Sequence, residues 1–166
     1  MKLSEYYNII RNKVMIKKVQ GKVYLSDISL ISMNCIGGTF YHDMNCKFLT
    51  PTVNLFFTAS DFIKFVNDLD YYLSFTPVVE MGEKYPIGTL DDIKIFFMHY
   101  DSCEDALQKW EDRKKRVNPQ KIFVIMVEQN GFSKEDFENF KKIKYVPLRE
   151  LCAVSLPCAR LRHFFF

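Results

Sequence analysis

Lys121-Ile122-Phe123-Val124-Ile125-Met126-Val127 is the stretch whose reading decides the fold. Behind one lysine stand apolar residues, mostly β-branched or aromatic, with no polar face. That is the pattern of a strand covered on both sides in a parallel sheet. The flanks agree with it. Downstream, Asn130-Gly131 turns the chain, and Ser133 with Asp136 opens a capped helix that carries Phe137 and Phe140 inward. Upstream, Ser102 with Asp105 starts another helix, which stops at Asn118-Pro119.

The pattern extends toward both ends of the chain. Ile93 to Tyr100 is a short, nearly continuous apolar run, expected to be a central strand. Val23 to Met33 reads as a strand entering a glycine turn, Asn34-Cys35-Ile36-Gly37-Gly38. Thr52 to Phe57 is a second apolar run, followed by Ser60 as N-cap and a helical stripe of Phe62, Ile63, Phe65, Val66, Leu69 and Leu73. Ile143 to Val146 fits a last short strand. The expected order is strand, strand, helix, strand, strand, helix, strand, helix, strand. Such alternation predicts an α/β fold: three layers, a mostly parallel sheet, helices on both faces. The divisions expected are a basic amphipathic N-terminal helix (1–22), one α/β domain (23–146) and a C-terminal tail (147–166).

Composition narrows the classes. The chain has 166 residues, 48% of them hydrophobic, enough to bury a real core in one domain. Basic residues number 23 and acidic ones 20, too small an excess to argue for nucleic acid. Five cysteines, odd in count and without a CxxC pair, argue against a disulfide or zinc framework and for a reducing cytoplasm. No run approaches the roughly 18 apolar residues of a membrane span. The unusual figure is 16% aromatic. A good share of it falls on predicted core positions: Phe62, Phe65, Phe96, Phe97, Phe123, Phe137 and Phe140. Phe164 to Phe166 are a liability unless they dock.

Six basic residues (Lys2, Arg11, Lys13, Lys17, Lys18, Lys22) face one acid, Glu5, in the first 22 positions, with Tyr6, Tyr7, Ile10 and Val14 at helical spacing. This reads as a helix packed on the domain, or as a peripheral contact with an anionic membrane surface.

Ligands of open α/β sheets gather at the carboxyl ends of strands, and three features are expected there. In the first, Asn34, Gly37 and Gly38 would form a cradle, since paired glycines allow positive φ and let a backbone approach a ligand. Cys35 is a candidate nucleophile if a cation favours its thiolate, and otherwise a small apolar residue. The second is His99-Tyr100-Asp101-Ser102. Strand alternation sets His99 on the face of Ile95 and Phe97, as a hydrogen-bonded structural residue or as a general base beside a helix N-terminus. The third is the helix after Ser102, whose stripe of Cys103, Ala106, Leu107 and Trp110 continues into Arg113 and Val117. Arg113 and Arg116, one turn apart, would clamp a phosphate or carboxylate; the competing reading is an arginine snorkelling past Trp110. Tyr41 and Tyr100 could stack on a sugar ring.

There is no G-x-x-x-x-G-K-[ST], no G-x-G-x-x-G and no G-x-S-x-G. P-loop, dinucleotide and α/β-hydrolase chemistry are disfavoured, and neither a cofactor nor a metal is expected. His42, His99 and His163 are scattered outside any zinc motif.

Several ordered blocks resemble one bacterial family, domain of unknown function 1919. Ile31-Ser32-Met33-Asn34-Cys35-Ile36-Gly37-Gly38 is similar to its Ser-Asn-Asn-Cys-Trp-Gly-Gly signature, with Met33 and Ile36 in place of the usual Asn and Trp. Tyr85-Pro86-Ile87-Gly88 with Phe97-Met98-His99-Tyr100 resembles its second block. Trp110, Arg113, Arg116 and Asn118 match its Trp-x-x-Arg-x-x-Arg-x-Asn block, and Phe123 to Gly131 its next strand and turn. The resemblance spans about residues 10 to 146. It implies an α/β fold and a setting in exopolysaccharide biosynthesis, and supplies no reaction.

The expectation is a transferase of surface-polysaccharide assembly that binds a phosphorylated sugar or nucleotide-sugar. Its ligand would lie between Asn34, Gly37, Gly38, Tyr100, Trp110, Arg113, Arg116 and Asn118, with His99 and Cys35 as the catalytic candidates. The alternative is a non-catalytic glycan-binding or assembly module.

Overall fold

The computed structural model describes residues 26–143. The basic N-terminal helix, the strand from Ile143 to Val146 beyond its first residue, and the C-terminal tail with Phe164 to Phe166 lie outside the described residues.

The fold is mixed α/β, built on a two-stranded parallel sheet and a three-stranded antiparallel sheet with helices around them. In chain order the elements are β1 (Ser29–Ser32), α1 (Ile36–Asp43), α2 (Ala59–Asn67), α3 (Leu69–Ser74), β2 (Val78–Met81), β3 (Pro86–Leu90), β4 (Ile93–Phe96), α4 (Cys103–Lys114), β5 (Ile122–Ile125) and α5 (Lys134–Lys141). β1 and β5 pair in parallel, Ser29 opposite Ile122 through Ser32 opposite Ile125. The strand read from Lys121 to Val127 is therefore parallel, as expected.

The mostly parallel sheet is corrected. β4 is four residues long and runs antiparallel to β3, which runs antiparallel to β2. Its Lys94 is exposed between buried Ile93 and Ile95, so it is not a strand covered on both faces. Asp91 and Asp92 form the two-residue loop that joins β3 to β4, with Asp91 at φ 56°. Carboxylate side chains tolerate that left-handed backbone, and a hairpin closed without glycine is hard to see in sequence.

At the free edge of β1, side chains take the place of a third strand among the described residues. Leu30 and Ser32 point their N–H groups away from β5. Leu30 N donates to the Tyr41 hydroxyl at 3.0 Å and Ser32 N to Thr52 Oγ1 at 3.0 Å. The Tyr41 hydroxyl in turn donates to Ile28 O. Side chains thus satisfy an edge that a neighbouring strand would otherwise fill. Tyr41 is buried in this role and offers no ring to a sugar.

Thr52 to Phe57, expected as a strand, is reduced to a link between the sheets. Phe56 exchanges backbone hydrogen bonds with Phe96 at 2.9 Å in each direction, and Phe57 N donates to Met33 O at 2.9 Å. Asn54 at φ 62° bends the chain just before that link.

One apolar core joins both sheets to α2, α3, α4 and α5. Its aromatic centre is Phe57, Phe62, Phe65, Phe97 and Trp110, all buried; Phe140 is buried too, while Phe96, Phe123 and Phe137 are half-buried. The stripe from Phe62 to Leu73 forms two helices, because Asp68 (φ −137°, ψ 59°) breaks the path. Thr58, not Ser60, caps α2, its hydroxyl accepting from Asp61 N at 3.2 Å. The caps at Ser102 and Ser133 form as expected, the second as a full capping box. No helix among the described residues is long and apolar enough to cross a membrane.

Candidate anion-binding site

The chain leaves β1 at Ser32 and enters α1 within four residues, so Asn34 to Gly38 is the start of a helix, not a glycine turn. Two side chains fix that entry. Asn34 Oδ1 accepts from Ile36 N at 3.1 Å, while Asn34 Nδ2 donates to Gln129 Oε1 at 3.0 Å, which ties the end of β1 to the loop after β5. Ser32 Oγ donates to Asn34 O at 2.6 Å and accepts from Gly37 N at 3.1 Å. The first two N–H groups of α1 are therefore occupied from within, and the expected cradle does not offer them to a ligand.

The glycines serve packing instead. Neither has positive φ, which among glycines belongs to Gly131 alone within the described residues. A Cβ on Gly37 would stand 2.6 Å from Ser32 Oγ, and one on Gly38 3.1 Å from Val53 Cγ1. They let α1 lie tight against β1 and the segment at Val53.

Cys35 is the N-cap of α1 and is partly buried. Its thiol lies 3.7 Å from Leu55 O and 4.0 Å from Met98 Sδ. Burial pushes the thiol up to about 11, with a backbone hydrogen bond opposing. At neutral pH it is a protonated thiol, poorly suited to nucleophilic attack.

Below the α1 entry a chain of contacts leads to the third predicted feature. The Tyr100 hydroxyl donates to Val53 O at 2.8 Å and accepts from Arg113 Nη1 at 2.6 Å. The Arg113 guanidinium also lies over the Phe48 ring, 5.3 Å from its centroid. Tyr100 is buried, and its ring meets Phe97 edge-on at 5.4 Å. Burial raises its pKa, although Arg113 opposes the shift, so the hydroxyl keeps its proton at neutral pH. Arg113 is half-buried and, among the described residues, no carboxylate lies within ion-pair distance of it. The arginine neither snorkels freely nor neutralises an acid. It is held by a phenol and a ring, and no described acid neutralises its positive charge.

The structure therefore brings Gly38, Tyr100 and Arg113 together through Val53. Other predicted residues stand elsewhere. His99 follows the end of β4, where the chain turns, so its side chain is exposed while Ile95 and Phe97 are buried. Trp110 is buried against Phe65 and Phe97, at 6.1 and 6.3 Å between ring centroids. Its Nε1 has no acceptor among the described residues. The Arg116 side chain makes no hydrogen bond or ion pair with a described residue, and its N–H donates to Arg113 O at 3.0 Å. Asn118 belongs to the opposite end of β1: its N–H donates to Ser29 Oγ at 2.8 Å and its Nδ2 to Asp27 O at 2.7 Å. It clasps the exit of α4 onto the start of β1. Asn118, at the start of β1, therefore stands apart from Tyr100 and Arg113, and the predicted residues do not all share one strand end.

Phe48, Val53, Met98 and Gln129 were not legible as site residues. Only the fold brings each of them to its partner. Among the described residues no group of three His, Cys, Asp or Glu is placed to hold a metal ion.

Two comparisons bear on this arrangement. The family described as "Domain of unknown function (DUF1919)" matches residues 6–149. An "Uncharacterized protein" of Haemophilus influenzae is 32% identical over 131 residues, which are 78% of this chain and 63% of that protein. The chain thus spans less than two thirds of the length of this relative.

Proposed function

The chain belongs to the domain of unknown function 1919 family, and from that footing we propose that it binds the phosphate of a phosphorylated sugar or nucleotide-sugar at Arg113 and acts in the assembly of surface polysaccharide. One observation carries the binding half: a half-buried guanidinium, fixed by Tyr100 and Phe48, with no described carboxylate to neutralise it. An oriented arginine fork is suited to two oxygens of a phosphate or carboxylate. Arg116, one turn on and without a described partner, adds a second positive charge. The polysaccharide setting is what the family resemblance implies.

As a transferase, the chain would use His99 as general base, because the exposed imidazole beside Tyr100 is open to an acceptor hydroxyl. A second reading, a non-catalytic glycan-binding or assembly module, is favoured by the protonated Cys35 thiol, whose neighbours are a carbonyl and a thioether and include no base. Two experiments test these readings. Calorimetric titration of the full chain with glucose 1-phosphate, glucose and UDP-glucose should give saturable binding of the two phosphorylated compounds, weakened at least about tenfold in Arg113→Ala. Equal binding of glucose, or no binding of any, overturns the proposal. His99→Ala that folds normally yet loses polysaccharide output supports transfer, whereas unchanged output supports the module.

A further inference from the structure

We infer that Tyr100 is a positioning residue: its buried hydroxyl locks the Nη1 end of Arg113, so that a ligand's anionic group is taken side-on by the Nε and Nη2 edge of the guanidinium. The inference rests on the anion-binding reading of Arg113.

The direction of the hydrogen bonds is forced. A guanidinium only donates and a carbonyl only accepts, so the single phenolic proton goes to Val53 O and a lone pair faces Arg113. Tyr100 itself has little freedom, because its ring is buried against Phe97 at 89° and its oxygen is tied to backbone. It is not available to stack on a sugar, the role suggested by its place beside a strand end. Its hydroxyl stays protonated at neutral pH, since burial raises its pKa. The guanidinium carbon stands over the Phe48 ring, 5.3 Å from its centroid, so the ring shields part of the guanidinium. Nε and Nη2 donate to no described residue. Their parallel N–H bonds match two oxygens of one phosphate or carboxylate group. A long arginine held in this way loses less freedom when the ligand arrives, which is how preorganisation raises affinity.

The test combines arginine side-chain NMR with calorimetry on the full chain, using glucose 1-phosphate as the probe. In the wild type the Nη1 and Nη2 resonances of Arg113 should be distinct, because the bond from Nη1 to Tyr100 hinders rotation about Nε–Cζ, the motion that exchanges the two nitrogens. In Tyr100→Phe they should merge, and affinity should fall about fivefold, as for one lost hydrogen bond. Merged resonances in the wild type overturn the proposal without any variant, even if Tyr100→Phe fails to fold. Wild-type affinity in a folded Tyr100→Phe, with Arg113→Ala defective, overturns the positioning role and leaves the anion-binding reading standing. Undiminished binding in Arg113→Ala overturns both.

Discussion

The Ser32 hydroxyl lies 2.6 Å from the place where a Cβ on Gly37 would stand, and it is the same hydroxyl that accepts from the Gly37 N–H. Adding a methyl group there forces Ser32 Oγ away from both Gly37 N and Asn34 O. Gly37→Ala is expected to cost about 1–3 kcal/mol in denaturant unfolding. Gly38→Ala should cost less, because the atom met at 3.1 Å is a valine methyl with some room to give. A Gly37→Ala protein as stable as the wild type contradicts the account of the α1 entry.

Cys35 should be slow to react. Its thiol is raised by burial to about 11, against an unperturbed 9.0. Site-resolved mass spectrometry after iodoacetamide at pH 7.5 should find Cys35 modified more than about tenfold more slowly than an unperturbed thiol. The buried thiol's contribution to stability is intact below pH 9 and is lost as pH rises through about 11. Rapid labelling at pH 7.5 would restore Cys35 as a nucleophile.

Trp110 occupies a core position, buried against Phe65 and Phe97. Trp110→Ala should cost about 3–5 kcal/mol. Trp110→Phe removes a buried N–H without a described acceptor, and that relief offsets part of the lost ring. Its net cost should be within about 1 kcal/mol, with glucose 1-phosphate affinity unchanged. Loss of affinity in a stable Trp110→Phe would place the indole in the site.

The Asp91–Asp92 loop is clasped to α2 and α3. Tyr71 donates to Asp91 Oδ2 at 2.8 Å, Tyr72 donates to Asp92 Oδ1 at 2.7 Å, and Lys64 Nζ pairs with Asp92 Oδ2 at 2.6 Å. Lys64 and then Tyr72 lower the pKa of Asp92 from its ordinary 3.8. A depressed carboxylate stabilises above its unfolded pKa and loses that effect as pH falls through the folded one. Asp92→Asn should therefore melt below the wild type at pH 7, and the gap should close below pH 4. A gap that persists at low pH assigns the effect to hydrogen bonding alone.

The legible parts of the fold share one trait: their signals are local. The apolar run from Ile122 to Val127, the Asn130-Gly131 turn (φ 53° and 83°) and the Ser102 and Ser133 caps depend on neighbours a few residues away. The rest depends on partners far along the chain. Tyr41 satisfies β1 in place of a strand, and Phe56 links the sheets through Phe96. The Gly37-Gly38 pair carries the same letters as a turn, yet its purpose is set by Ser32 and Val53 pressing on it. In the site, Arg113 stood out because a charge continued an apolar stripe. Its holders, Tyr100 and Phe48, were fixed by tertiary contact, and sequence had offered Tyr100 the opposite role of a stacking surface.

The central claim is that Arg113 receives an anion. The most direct measurement is the Nε–H resonance of Arg113 in the full chain, followed as glucose 1-phosphate is added at constant pH and ionic strength. The claim predicts a saturable shift of that resonance, absent when glucose replaces glucose 1-phosphate. A resonance that stays in place while glucose 1-phosphate binds elsewhere on the chain, or does not bind at all, contradicts it.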